Sequence, residues 1–210
     1  MMKHEWRKKE KQVYIPKGKP EQIKISEYNF FTISGKGNPN SKHFSEYISV
    51  LYSLSYGVKM GLKKNPILEE YYDYTVYPLE GIWDISDEAK KTYKEASKLN
   101  KDDLVFTLMI RQPSFVTKKH ALDTIKQVKL KKPNPLLSLV KFEKITEGNC
   151  IQMLHVGSYD DEARTFKIME EFAENSNLKR QSKVHREIYL SDFRKVSTEK
   201  LKTVLRFKLK

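Results

Sequence analysis

Apolar positions along the chain recur in an order that repeats. Residues 28–34, "YNFFTIS", predict a strand, and "GKGNPN" at 35–40 predicts a turn by its Gly, Asn and Pro content. From 41 to about 60, Phe44, Ile48, Leu51, Ser55 and Val58 follow helical spacing, which predicts an amphipathic helix. Two strands are expected next, "YYDYTVYPLEGIWDI" at 71–85 and "DLVFTLMIRQ" at 103–112. The order is strand, helix, strand, strand.

The second half reads the same way. "NCIQMLHV" at 149–156 predicts a strand, "GSYDDE" a turn, and 161–175 a helix with Phe166, Met169, Phe172 and Ala173 on one face. "KVHREIYL" and "LKTVLRFKL" supply the closing strands. Setting Gly35 over Gly157 sets Phe44 over Phe166 without a gap, so the halves look like copies. Between them lie a helix predicted from Thr117 to about Lys129, the Pro-bounded turn "KKPNP", and a further strand, "LLSLVKFEKI". The fold class expected is α+β, a pseudo-twofold duplication of a strand-helix-strand-strand module, with antiparallel sheets and a ligand groove between the modules. Residues 1–27 are expected to form a basic extension. Residues 28–210 form a single domain, with module one at about 28–112, the connecting helix at about 117–132 and module two at about 136–210.

Composition narrows the function classes. The 210 residues carry a formal charge of +13, but the basic knots "RKKEK", "KLKK" and "RFKLK" are scattered. No helix-turn-helix, zinc-finger or aromatic-basic signature accompanies them, so direct nucleic-acid binding is not expected. Cys150 is the lone cysteine, which leaves no internal disulfide and no cysteine cluster for zinc or iron, and suits a reducing cytoplasm. No membrane span is expected. The chain also lacks a G-x-S-x-G elbow, an H-E-x-x-H pair, a dinucleotide fingerprint and a P-loop. No metal or organic cofactor is expected.

What remains is a carboxylate in an unusual place. In "KVHREIYLSDF", 183–193, alternation puts His185, Glu187 and Tyr189 on one face and Val184, Ile188 and Leu190 on the other. Ile188 and Leu190 are expected to face helices, and the other three the shared groove.

The segments "GKGNPN", "VYPLEGIW", "TLMIRQPSFVT", "EGNCIQMLHVGSYDDEARTF", "HREIYLSD" and "EKLKTVLR" resemble the stand-alone branch of the GyrI-like small-molecule-binding family, in order and through nearly the whole chain. The resemblance implies two strand-helix-strand-strand modules with a ligand between them. Relatives include drug-sensing domains of multidrug-responsive transcription activators, where a buried glutamate and aromatics bind lipophilic cations. One subgroup hydrolyses cyclopropane-bearing, DNA-alkylating toxins. Glu187 takes the place of the family's pocket glutamate, Trp83 closes "PLEGIW", and His155 and Tyr159 belong to the pocket-bordering "HVGSY". Two departures stand out: Phe106 lies near a common tryptophan, and Arg186 stands where a second histidine is common. Tyr74, Tyr77, Phe106 and Met109 are candidates for the opposite wall, beside His185 and Tyr189.

These residues suit two jobs. As a binding site, ionised Glu187 balances a lipophilic aromatic cation while Trp and Tyr faces add cation–π contacts of about 0.5–2 kcal/mol each. This sensor or sequestration role is the leading expectation. As a catalytic site, Glu187 with Tyr159 opens a strained cyclopropane by general acid–base help. A third role, transcription regulation, would require a partner protein, because no DNA-binding module precedes residue 28.

Overall fold

The computed structural model describes residues 3–64, 71–92 and 100–210. Its elements are α1 (Trp6–Lys9), α2 (Lys11–Tyr14), β1 (Glu21–Lys36), α3 (Lys42–Lys64), β2 (Leu79–Ile85), α4 (Asp87–Thr92), β3 (Leu104–Gln112), α5 (Lys118–Lys131), β4 (Lys141–Val156), α6 (Glu162–Asn175), β5 (His185–Tyr189) and β6 (Lys202–Lys208). All strand pairings are antiparallel, and the strands close into one barrel in the order β1-β3-β2-β5-β6-β4. The two expected sheets are therefore one ring, each module supplying three strands. Among the described residues no helix is long and apolar enough to cross a membrane.

Alternation along each strand sorts side chains into an outer and an inner set. On the outer set, Phe31, Ile33, Leu108 and Ile110 join Val50, Leu51, Leu54 and Val58 of α3 in one buried cluster. Ile151, Met153, Leu205 and Phe207 join Met169 and Ala173 of α6 in a second. α5, capped by Thr117 and His120, lies against α3. Each helix covers its own module's first and last strands. The outer face of β2 and β5, where the modules meet, lies between the two helices.

The inner set mixes apolar residues with a buried ion network. Arg186 and Arg206 are cross-strand neighbours on β5 and β6 and would repel one another if unpaired. Glu147 bridges them, at 2.9 Å from Arg186 Nε and 2.8 Å from Arg206 Nη1, and Glu80 takes Arg186 Nη1 at 2.6 Å. Gln152 accepts from Arg206 Nη2 at 2.7 Å. Burial alone would raise the Glu147 carboxyl, but the two guanidinium groups outweigh it and hold it below its usual range. Met109 packs here, 3.3 Å from Arg186. Ile188 shares this inner face with its ladder partner Val204, both fully buried. The expected orientation of β5 is thus reversed: Ile188 faces the barrel interior, and His185, Glu187 and Tyr189 share the side on which the helices pack.

Several boundaries differ from the sequence reading. β1 begins at Glu21, not at 28, and pairs with β4 along its added length. The segments expected as separate strands at 136–145 and 149–156 form one strand, β4, with Gly148 at φ 76° inside it and a short 3-10 turn at 135–138 before it. Of 71–85 only Leu79–Ile85 is strand; residues 65–70 and 93–99 lie outside the described residues. The basic extension packs rather than projects. Trp6 and Tyr14 are buried, Trp6 Nε1 donates to the Val76 carbonyl at 3.0 Å, and Glu10 accepts from Tyr77 Oη at 2.7 Å while pairing with Arg111.

The duplication holds, with a corrected register. Gly37 and Gly157 both have positive φ, and their N–H groups donate to equivalent carbonyls, Leu104 at 2.8 Å and Leu201 at 3.0 Å. Gly37, not Gly35, is therefore the counterpart of Gly157, and Phe44 is not the counterpart of Phe166. Gly35 is a different kind of glycine: a Cβ there would meet the Phe106 ring at 2.6 Å.

Candidate functional site

The site forms where the modules meet. Leu108 and Leu205 lie four residues beyond the equivalent carbonyls, and their ladder partners are Gly81 and Glu187. Gly81 and Glu187 are thus pseudo-twofold counterparts, and they also stand opposite one another in the β2–β5 ladder. By the same register Trp83 corresponds to Tyr189. One module contributes the carboxylate and the other a residue with no side chain in its way.

Around Glu187 the outer face carries a connected polar network. Trp83 Nε1 donates to Tyr189 Oη at 2.8 Å, and Tyr189 shares its strand face with Glu187. His185 Nε2 lies 3.2 Å from Glu187 Oε1, and its Nδ1 lies 3.3 Å from the Lys183 carbonyl. A carbonyl only accepts, so Nδ1 carries a proton. Glu162, the first residue of α6, brings a carboxylate oxygen within 4.8 Å of the His185 and Glu187 donor atoms. The side chain of Glu187 retains 11% of its surface and that of His185 22%, so the cluster is largely sheltered from solvent.

Electrostatics follow from that shelter. Burial, then the charge and hydrogen bond of Glu187, then Asp160, raise the Glu162 carboxyl well above its ordinary value. The charges acting on it are all acidic. Burial and the Glu187 carboxylate likewise raise the Tyr189 phenol, and burial followed by Glu187 pushes Tyr159 up to about 12. Burial and the neighbouring Glu187 carboxylate thus favour a proton on Glu162.

Aromatic rings frame the pair. Trp83, Phe44 and Phe106 form a mutually contacting trio, with centroids 5.0–5.8 Å apart. Tyr159 meets Tyr189 edge-on at 5.9 Å and is itself 36% exposed. Phe166 of α6 meets the His185 ring at 4.7 Å.

Of the residues expected at the site, Glu187, Tyr189, His185, Trp83, Phe106 and Tyr159 come together. Four lie elsewhere. Tyr77 is held by Glu10 and Tyr14 at the N-terminal segment, and Tyr74 packs on Phe115 and bridges to His4. Met109 lies inside the barrel. His155 is buried with Nδ1 2.8 Å from Thr165 Oγ1 and Nε2 2.9 Å from the Ser158 carbonyl, so it fastens the turn before α6. Arg186 turns inward, away from Glu187. Glu162, Phe44 and Phe166 were not anticipated. In "GSYDDE" Glu162 reads as one of three acids favouring a helix N-terminus, and only packing separates it from Asp160 and Asp161.

The fold occurs in solved structures. Two solved structures from Listeria innocua, one described as an uncharacterized conserved protein and one as a hydrolase, are each 36% identical to this chain. Each covers 99% of it and 100% of itself, with TM-scores of 0.88 and 0.86. The C-terminal domain of EcmrR, 11% identical over 91% of this chain and 97% of that one, has a TM-score of 0.52 and shares the fold. No curated protein matches the chain. The family model for the GyrI-like small molecule binding domain matches residues 18–210, and the chain belongs to that family.

Proposed function

We propose that this chain hydrolyses small lipophilic electrophiles, adding water across a strained cyclopropane conjugated to a ketone. The observation that carries the reading is the carboxyl pair: a raised, proton-holding Glu162 against Glu187 offers an acid and a base side by side, which simple sequestration does not require. Similarity over the whole length to a structure described as a hydrolase supports it.

Glu187, oriented by Tyr189 and Trp83, takes a proton from water as its oxygen bonds to the ring carbon. The cyclopropane C–C bond breaks and its electrons pass through the conjugated system to the ketone oxygen, which receives a proton from Glu162. The proton on Glu187 then passes to Glu162 and restores the pair. Ring strain drives the opening, and positioned proton transfer contributes about a hundredfold to ten-thousandfold. Trp83, Phe44 and Phe106 would hold the apolar body of the substrate.

A second reading, binding of lipophilic aromatic cations without turnover, draws on the acidic and aromatic character of the same surroundings. Incubation with a cyclopropane-bearing alkylator, followed by mass spectrometry, separates the two. The hydrolase reading expects catalytic formation of the water adduct by the wild type and its loss in Glu187→Gln. Unreacted alkylator at full occupancy of the protein would refute hydrolysis and leave the binding reading.

A further inference from the structure

The lone cysteine argues against a thiolate metal site, but thiolates are not the only ligands. Among the described residues, Glu162, His185 and Glu187 each point one donor atom into a common space, and these atoms all lie within 4.8 Å of one another. We propose that this trio is a binding site for a divalent transition-metal ion of the zinc class, held by His185 Nε2 and one oxygen from each carboxylate.

Four observations carry it. The His185 Nε2 to Glu187 Oε1 separation of 3.2 Å fits a ligand edge around such an ion, whose bonds to imidazole and carboxylate are about 2.0–2.2 Å. His185 Nδ1 lies 3.3 Å from the Lys183 carbonyl, the outer partner that a ligating imidazole receives, and Nε2 is turned toward the carboxylates. Tyr189, fixed by Trp83 Nε1 at 2.8 Å, shares the strand face of Glu187 and places a hydroxyl where an outer partner for a ligating carboxylate would sit. Finally, Glu162 is 8% exposed, its Oε1 has no hydrogen-bond partner among the described residues, and one of its carboxylate oxygens lies within the cluster.

Charge closes the argument: two carboxylates and a neutral imidazole balance a divalent ion. The three ligands leave a coordination position free for water or ligand. Calcium and magnesium fit less well, since both prefer sets of oxygens alone. Metal binding at these ligands displaces the proton on Glu162 that the hydrolase reading uses, so the ion-loaded and proton-holding states are alternatives at one site, and metal titration reads the ion without activity.

Cobalt(II) titration of chelator-treated protein tests this. A visible absorption band should saturate at one equivalent and be displaced by zinc(II). His185→Gln and Glu162→Gln should each abolish the saturable band, with near-ultraviolet circular dichroism reporting that the fold is kept. Tyr189→Phe should weaken affinity about tenfold to a hundredfold through loss of orientation. His43→Gln, on the exposed start of α3 beside Glu46, should leave the titration unchanged. Absence of a band at one equivalent, or the same band in a folded His185→Gln protein, overturns the proposal. Should Glu162→Gln fail to fold, the half-buried His185 substitution decides alone.

Discussion

Gly81 faces Glu187 across the β2–β5 ladder, and the two are also counterparts under the pseudo-twofold that relates the modules. A Cβ at Gly81 would meet Trp83 Nε1 at 2.8 Å, Tyr189 Oη at 3.2 Å and Leu108 Cδ2 at 3.3 Å, so the glycine leaves room for the Trp83–Tyr189 hydrogen bond on the face that carries the carboxylate.

Gly81→Ala should therefore disturb the Trp83–Tyr189 pair directly. The expected cost is about 1–3 kcal/mol of stability, typical of overpacking, with a larger proportional loss of ligand binding. Urea denaturation beside ligand titration measures both, and an alanine variant that binds normally would show that the pair does not orient the site.

Glu162 should give stability a pH dependence of unusual sign for a carboxyl. Its proton is held more tightly in the folded chain than in the unfolded one, which titrates near 4.5. Its contribution is therefore complete below that pH and is lost as pH rises through the raised folded value. Glu162→Gln stays uncharged and should gain on the wild type across that window. Parallel stability curves for the two proteins from pH 4 upward would contradict a buried, proton-holding Glu162.

Tryptophan emission should report the site selectively, because the chain has two tryptophans and only Trp83 belongs to it. Ligand binding should change emission in Trp6→Phe and leave it nearly constant in Trp83→Phe. The reverse pattern would move the pocket to the N-terminal end of the barrel.

The interior ion network should tolerate removal of a single partner poorly. Glu147→Gln leaves Arg186 and Arg206 adjacent with reduced compensation and should cost about 3–5 kcal/mol in urea melts. A loss below 1 kcal/mol would mean that water or Glu80 already balances both arginines.

Removing residues 1–17 should destabilise the chain although the family match starts at 18. The deletion uncovers the barrel end closed by Trp6 and Tyr14, whose burial is on the scale of a few kcal/mol each. A truncated chain with an unchanged melting temperature would make the segment an ornament.

Local pattern carried much of this protein. Periodicity located α3, α5 and α6 and most strands, the repeated order of elements exposed the duplication, and alternation placed His185, Glu187 and Tyr189 together on one face. These are properties of neighbouring residues, and neighbours are what a sequence records. Which face is inside is a different matter, decided when six strands close: the inner side then takes Arg186, Glu80 and Ile188, and the outer side, between two helices, becomes the site. Glu162 meets Glu187 only because α6 starts beside β5, and Tyr77 leaves the site because 71–78 is not strand and Glu10 captures its hydroxyl. Chain closure and helix placement depend on contacts between residues far apart in sequence, so the chemistry of each side chain was legible in order, while the company it keeps was settled in space.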